Sequence, residues 1–307
     1  PCAMNKITEM LLRSVSNYKG EFRGAFNIRE DGQCAARHST EHIRIQSKKD
    51  APGLEIYIDA NTKDETVYIP ACVTHSGVDD LVYNDFFVGE NADVTIVAGC
   101  GVHTEGEEEA RHNGIHRFFL EKGAKVLYQE KHIGTGNGGL RRIDPVTDAT
   151  LAEDAVLEMD TVQIRGVDTT TRKTTATLAD RAKIVVRERI MTDGEETAKT
   201  EFEVWMKGED CRADVSSRSV ARGRSKQDFI SIIHGENRCS GHSECDAILA
   251  DQATVNATPA LYASHVDAAL IHEAAIGKIA GEQILKLKTL GLTDEQAEEK
   301  IIQGFLK

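Results

Sequence analysis

The sequence predicts a mainly β protein built as a stack of similar coils, a β-helix, with a short helix in front and a helical hairpin behind. Three observations carry this reading. From about Phe22 to His265 the chain runs in short alternating stretches rich in β-branched residues, such as Glu55-Ile56-Tyr57-Ile58, Val94-Thr95-Ile96-Val97 and Lys183-Ile184-Val185-Val186. That period of two is the mark of strands. A small residue, a polar residue and a β-former also recur together, in Ala92-Asp93-Val94, Ala124-Lys125-Val126 and Ala182-Lys183-Ile184, with Ala155-Val156-Leu157 as a looser copy. The intervals are 32, 31 and 27 residues. Finally, the turns before these strands resemble one another: Gly89-Glu90-Asn91, Glu121-Lys122-Gly123, Ala152-Glu153-Asp154 and Ala179-Asp180-Arg181. Strand and turn repeating at one interval point to stacked units that bury a shared core, against the alternative of a β-sandwich.

The elements follow in order. Residues 4–20 hold a short helix with Met4, Met10, Leu11, Leu12 and Val15 as its apolar residues. Residues 21–270 form the β body. Gly208-Glu209-Asp210-Cys211 continues the repeat, and Leu249-Ala250-Asp251-Gln252-Ala253-Thr254-Val255 reads as a late copy. In residues 271–307 the period changes. Ile276, Ile279, Ala280, Ile284, Leu287 and Leu290 lie three to four residues apart, as on an amphipathic helix. Gly291 suits its end, and Thr293 with Gln296 makes a capping-box signature for a second short helix.

Composition narrows the function. The 307-residue chain carries a formal net charge of −13, which disfavours nucleic acid as a partner. No apolar run approaches the roughly 20 residues of a membrane span. Pro1-Cys2-Ala3 ahead of Met4 shows no apolar h-region and reads as residues added before the natural start, so Cys2 is set aside. Cys34, Cys72, Cys100, Cys211, Cys239 and Cys245 are scattered, which argues for reduced thiols in a cytoplasmic protein rather than a disulfide framework. Cys34, Cys72 and Cys211 read as small apolar residues.

The segment His272-Glu273-Ala274-Ala275-Ile276-Gly277-Lys278-Ile279, followed by Gln283, Leu290-Gly291-Leu292 and Gly304-Phe305, resembles the C-terminal signature of the SufB/SufD family. Upstream, Cys245-Asp246-Ala247-Ile248-Leu249-Ala250-Asp251 and Asn256-Ala257-Thr258-Pro259 resemble that family's preceding motifs. The likeness is dense over about residues 230–306 and looser through the repeats. It implies a right-handed parallel β-helix that serves as a scaffold, not an enzyme, for assembly and transfer of iron–sulfur clusters. It further implies an ABC-type ATPase partner like SufC docked on the C-terminal helices, a sulfur donor, apo-protein acceptors and a nascent 4Fe–4S or 2Fe–2S cluster. Carried onto this chain, the family's cluster-associated residues fall on Cys245, His272 and Glu273. Ile271 stands where relatives often carry a second acid. The long N-terminal region of larger relatives is absent, which points to a compact member pairing with a second copy of itself and two ATPase subunits.

Thiolate with imidazole or carboxylate is a sound ligand set for a labile cluster. Cys245 and His272 lie 27 residues apart, about one repeat, so stacked coils bring them side by side. Without the resemblance, Cys245 reads as a buried thiol and His272 as a cap for the helix after it. His234, Cys239 and His242 lie nearby, and one of them is a candidate to complete the site. A second constellation needs no family: Cys100, His103, His112, His116 and His132 fall within 33 residues, with a glycine on each side of Cys100. These are iron or zinc ligand types, against the alternative of a polar coil edge and a Glu-rich loop over Thr104–Arg111. They support a competing reading, a metal-dependent enzyme on a β-helix, beside a third, an adaptor that only docks an ATPase. Gly134-Thr135-Gly136-Asn137-Gly138-Gly139 lacks the Lys and Ser/Thr of a P-loop and reads as a flexible turn, so ATP hydrolysis is assigned to a partner.

Overall fold

The computed structural model describes residues 4–307; Cys2 lies outside the described residues. The chain opens with α1 (Lys6–Ser16), β1 (Ala25–Glu30), β2 (Gln33–His38), β3 (Ile43–Ser47), β4 (Gly53–Ile58), β5 (Lys63–Tyr68), β6 (Ala71–Val73) and β7 (Asp79–Val88). It continues through β8 (Asp93–Glu105), β9 (Ala110–Leu120), β10 (Lys125–Asn137), β11 (Arg141–Ile143), β12 (Val146–Leu151), β13 (Val156–Arg165) and β14 (Thr169–Leu178). Then come β15 (Lys183–Thr192), β16 (Thr197–Met206), β17 (Cys211–Ala221), β18 (Lys226–Gly235), β19 (Cys239–Leu249), β20 (Thr254–Ala263) and β21 (Ala268–Lys278). Two helices close it, α2 (Gly281–Lys288) and α3 (Asp294–Phe305). About 60% of residues are in strands, wound into a solenoid of about eight turns.

The strands stack into two sheets. One runs β2-β1-β5-β8-β10-β13-β15-β17-β19-β21 and the other β20-β18-β16-β14-β11-β9-β7-β4-β3. The repeats legible in the sequence are register partners. Lys125 pairs with Asp93 on one side and Val156 on the other, and Val156 with Lys183. Within each coil alternate residues turn inward, so Val94, Ile96, Val126, Leu157, Ile184 and Val215 form the continuous core.

The conserved shape of the turns has a backbone cause. Asn91, Gly123, Asp154, Arg181 and Asp210 all adopt positive φ, between 55° and 69°. Asn, Gly and Asp tolerate that region best, so Arg181 is the one costly choice. The next residue in each turn, Ala92, Ala124, Ala155, Ala182 or Cys211, is wholly buried. It must be small because the chain reverses over it. Asp251 belongs to the opposite edge: Ala253 leads into β20 of the second sheet, so the late copy seen in sequence lies outside this stack.

The N-terminal end of the solenoid is closed by antiparallel pairs, β1 with β2 and β3 with β4. Helix α1 is capped by Asn5, whose side chain accepts from the Thr8 amide. It buries Leu11, Leu12 and Val15 on the outside of β8, each apolar side chain contributing about 1.5–3 kcal/mol. Gly99 and Gly101 make the contact possible. A Cβ at Gly99 would fall 2.4 Å from the Val15 carbonyl oxygen, and one at Gly101 would fall 2.8 Å from Leu11 Cδ2. The glycines flanking Cys100 therefore admit a helix and not a ligand.

The C-terminal end is open. Among the described residues no strand lies beyond β20 or β21, and both lose the buried alternation of the inner coils. Strand β21 continues to Lys278, past the 270/271 boundary expected from sequence, so His272 sits mid-strand and caps no helix. The pattern from Ile276 mixes the end of β21 with α2 (Gly281–Lys288), which buries nothing. Gly291 takes φ +90°, and α3 carries the capping box of Thr293 and Gln296. The Gly134–Gly139 segment is not a loose turn either. Strand β10 covers it as far as Asn137, leaving only Gly138 and Gly139 in a bend at positive φ, and a Cβ on Gly134 would meet the Gly166 carbonyl oxygen at 1.8 Å.

Candidate functional site on the terminal coils

Strands β19 and β21 lie in parallel register, with Ser243 opposite His272 and Cys245 opposite Ala274. Ser243, Cys245 and His272 therefore share the inward face, and Cys245 and His272 are diagonal neighbours. Cys245 is 1% exposed. Burial, with the charges of Glu188 and Asp246, pushes its thiol up to about 12, so the free chain holds a thiol and not a thiolate. Burial and the nearby His242 lower the pKa of His272, which keeps its imidazole neutral. Its Nδ1 lies 2.6 Å from the Ser243 hydroxyl, while its Nε2 is buried without a partner. An orphaned buried nitrogen costs about 1–3 kcal/mol. On the terminal strand of its sheet, at the solenoid's open end, it is placed to be satisfied from outside.

Glu273 does not join this pair. Alternation turns it to the outer face, where its carboxylate lies 2.9 Å from His242 Nε2. The expected trio is thus split across the sheet: thiol and imidazole inside, carboxylate outside. Cys239 also faces inward, in register with Cys211. His234 faces outward, sandwiched between Trp205 and Tyr262 at 5.1 Å on each side.

The second constellation is dispersed. His112 and His116 share the inner face of β9 across Gly114, as period two requires. Each has its own partner. His112 Nδ1 meets Asp80 at 3.0 Å, and Asp80 is gripped by Arg29. His116 Nδ1 meets the Tyr128 hydroxyl at 2.8 Å. His132 Nε2 meets Glu130 at 2.8 Å. His103 is bonded to Thr135 and Glu105. Cys100 lies with Val73, Val102, Ala110 and Ile143, and burial raises its thiol well above the ordinary range. A cavity of about 30 Å³ lies between Cys100, His112, His116 and His132. Among the described residues, none of these five belongs to a group of three ligand atoms within 4.8 Å of one another. His116 and His132 belong to a buried polar network instead. At its centre Glu130 takes bonds from Tyr128 and Arg172, and Arg172 also reaches Glu188 at 3.7 Å. Burial raises the Glu130 carboxyl, but Arg172 and His132 outweigh it and hold it well below the usual range. Over Thr104–Arg111 the loop narrows to residues 106–109, which hold Glu107, Glu108 and Glu109, and the two residues on each side are strand. Of the cysteines read as small apolar residues, Cys72 and Cys211 are buried, and Cys34 is exposed.

The group that does meet the 4.8 Å criterion is His242, Glu244 and Glu273, on the outer face of β19 and β21. Glu244 was not singled out in the sequence. The readable signal is His242-Ser243-Glu244: two ligand types, two apart, fall on one face of a strand.

Fold and terminal coils define a two-sheet β-solenoid that carries soft and borderline metal ligands beside its open end. The family model for the SUF system FeS cluster assembly SufBD core domain matches residues 83–305. The chain therefore belongs to the SufBD family of iron–sulfur cluster assembly proteins. It is 28% identical over 250 residues to an iron–sulfur cluster assembly SufBD family protein of Methanothermobacter thermautotrophicus strain Winter, covering 79% of this chain and 59% of that one. It is 29% identical over 230 residues to one from the Delta H strain, covering 73% and 54%. An Archaeoglobus fulgidus relative is 27% identical over 269 residues, covering 87% and 71%. The chain thus spans 59% and 54% of the length of the first two relatives.

Proposed function

We propose that this chain is a cytoplasmic scaffold on which iron–sulfur clusters are assembled and passed on, with ATP hydrolysis supplied by a SufC-like ABC ATPase. The observation that carries the proposal is Cys245 and His272 side by side on the inner face at the open end of the solenoid. The thiol is too basic to be a thiolate when the coil is closed. A metal ion deprotonates a coordinating thiol outright, so ligation by Cys245 requires the last coil to yield to the incoming cluster. A scaffold needs such weak, openable ligation, because the cluster has to leave.

Pairing with a second copy is part of the proposal. Strands β20 and β21 end in unsatisfied edges, and Leu261, Tyr262, Ile271 and Ile276 are exposed along them. Bare edges bearing apolar side chains are surfaces that take another sheet. The ATPase is assigned to the C-terminal helices, where Leu285 and Leu290 are 64% and 78% exposed.

The test is anaerobic purification of the full chain co-expressed with an ABC ATPase of the family's type. Brown protein with stoichiometric iron and sulfide is the expected result. One colourless zinc with turnover would favour an enzyme instead. An ATPase complex without metal would reduce the chain to an adaptor.

A further inference from the structure

The outer face of the terminal coils differs from the rest of its sheet. Elsewhere the outward acids stand beside arginines: Glu158 with Arg187 at 2.9 Å and Asp160 with Arg189 at 2.5 Å. At the end of the sheet Glu244 is stacked in register on Glu273, a like-charge pair that destabilises strand pairing. Among the described residues, neither glutamate pairs with a lysine or arginine. The only cationic partner near them is His242, between Glu273 at 2.9 Å and Asp214 at 3.3 Å.

We propose that His242, Glu244 and Glu273 form a docking site for a single divalent cation of the Fe²⁺ or Mn²⁺ class, outside the solenoid wall and separate from the Cys245–His272 pair. The ligand atoms lie within 4.8 Å of one another on the paired strands β19 and β21. Metal–ligand distances of about 2.0–2.2 Å bring ligand atoms closer than that, so Glu273 shifts from His242 Nε2 and Glu244 gives up its bond to Asp246 as the metal enters. Asp214 accepts from His242 Nδ1–H, and the Nε2 proton now shared with Glu273 leaves to solvent as the metal takes its place. A carboxylate behind a metal-binding imidazole is the usual way to fix tautomer and ring. One imidazole and two carboxylates suit Fe²⁺, Mn²⁺ or Zn²⁺, and the lack of a thiolate disfavours Cu⁺. Two carboxylates neutralise a divalent charge and remove the Glu244–Glu273 repulsion. Three protein ligands leave coordination positions open, so the ion can be handed on. Identifying the cargo as iron rests on the assembly role proposed above; the cation site does not.

The experiment titrates the full metal-free chain anaerobically with Mn²⁺, read by electron paramagnetic resonance, and with Fe²⁺, read by calorimetry. One site per chain is expected. Glu244→Gln with Glu273→Gln should abolish it, and Asp214→Asn should weaken it by about 10–100-fold. Removing two stacked charges relieves repulsion, so the double variant should melt no lower than the parent, which guards against misfolding as the cause. Cys245→Ala should bind the cation unchanged. Unaltered binding in the double variant, or no stoichiometric binding in the parent, would overturn the site. If the cation binds as expected while the parent chain co-expressed with the ATPase carries no iron and sulfide, the scaffold assignment fails and the site stands. If the parent builds clusters yet binds no cation here, the reverse holds.

Discussion

His272 stands across the strand pair from Ser243, with its Nδ1 2.6 Å from the serine hydroxyl and its Nε2 buried and unpartnered. The hydroxyl orients the ring, and the free nitrogen is the one left to bind. His272→Gln should reduce the iron and sulfide retained after anaerobic reconstitution by at least about tenfold. Ser243→Ala should cost about 10–100-fold in the same assay, the size expected for a group that orients a ligand. Full retention in both variants would remove the imidazole from the site.

Thiol reactivity separates the cysteines. Iodoacetamide reacts with thiolates. Native chain at neutral pH should be alkylated at Cys34, which is exposed, and spared at Cys100 and Cys245, which are buried with raised pKa values. Peptide mapping by mass spectrometry reads the pattern. Labelling of Cys245 should appear on unfolding, or when the terminal coil is opened.

Arg172 holds two buried carboxylates. It is bonded to Glu130 and lies 3.7 Å from Glu188. Arg172→Ala leaves Glu188 buried without its cation and Glu130 with His132 alone, and should cost about 3–5 kcal/mol in urea unfolding. A loss below about 1 kcal/mol would mean that water takes over the role of the guanidinium.

His116 makes the fold acid-sensitive. Burial lowers its pKa from 6.5 to about 4. Below about pH 6.5 the unfolded chain binds a proton that the folded chain refuses, so its contribution is complete above that pH. The contribution is lost as pH falls toward 4. Two and a half units correspond to roughly 3 kcal/mol. His116→Gln should flatten the fall in unfolding free energy between pH 6.5 and 4, and an unchanged slope would assign the acid sensitivity to other groups.

The coils, their interval and the turn chemistry were legible because each leaves a local trace. Ala124-Lys125-Val126 and its copies record burial, exposure and burial in successive residues. The capping box of Thr293 and Gln296 was equally local. The side of the sheet on which a ligand falls was not read, although parity supplies it. Cys245 and His272 differ by an odd number, yet they share a face because the turn between coils restores the phase. Glu273, one residue on, must then face away. The glycines beside Cys100 misled for a different reason: sequence shows that something approaches closely there, and only packing shows that it is α1.

The bare edges of β20 and β21 carry a cost for any copy left alone. Each offers backbone donors and acceptors to whatever strand arrives, and because the N-terminal end is closed by its antiparallel pairs, association through this end stops at two. An unpaired copy is therefore open to capture by a foreign strand, restrained chiefly by repulsion that its net charge of −13 sets up against other acidic chains. High salt, which weakens that repulsion, is where such capture would first be seen.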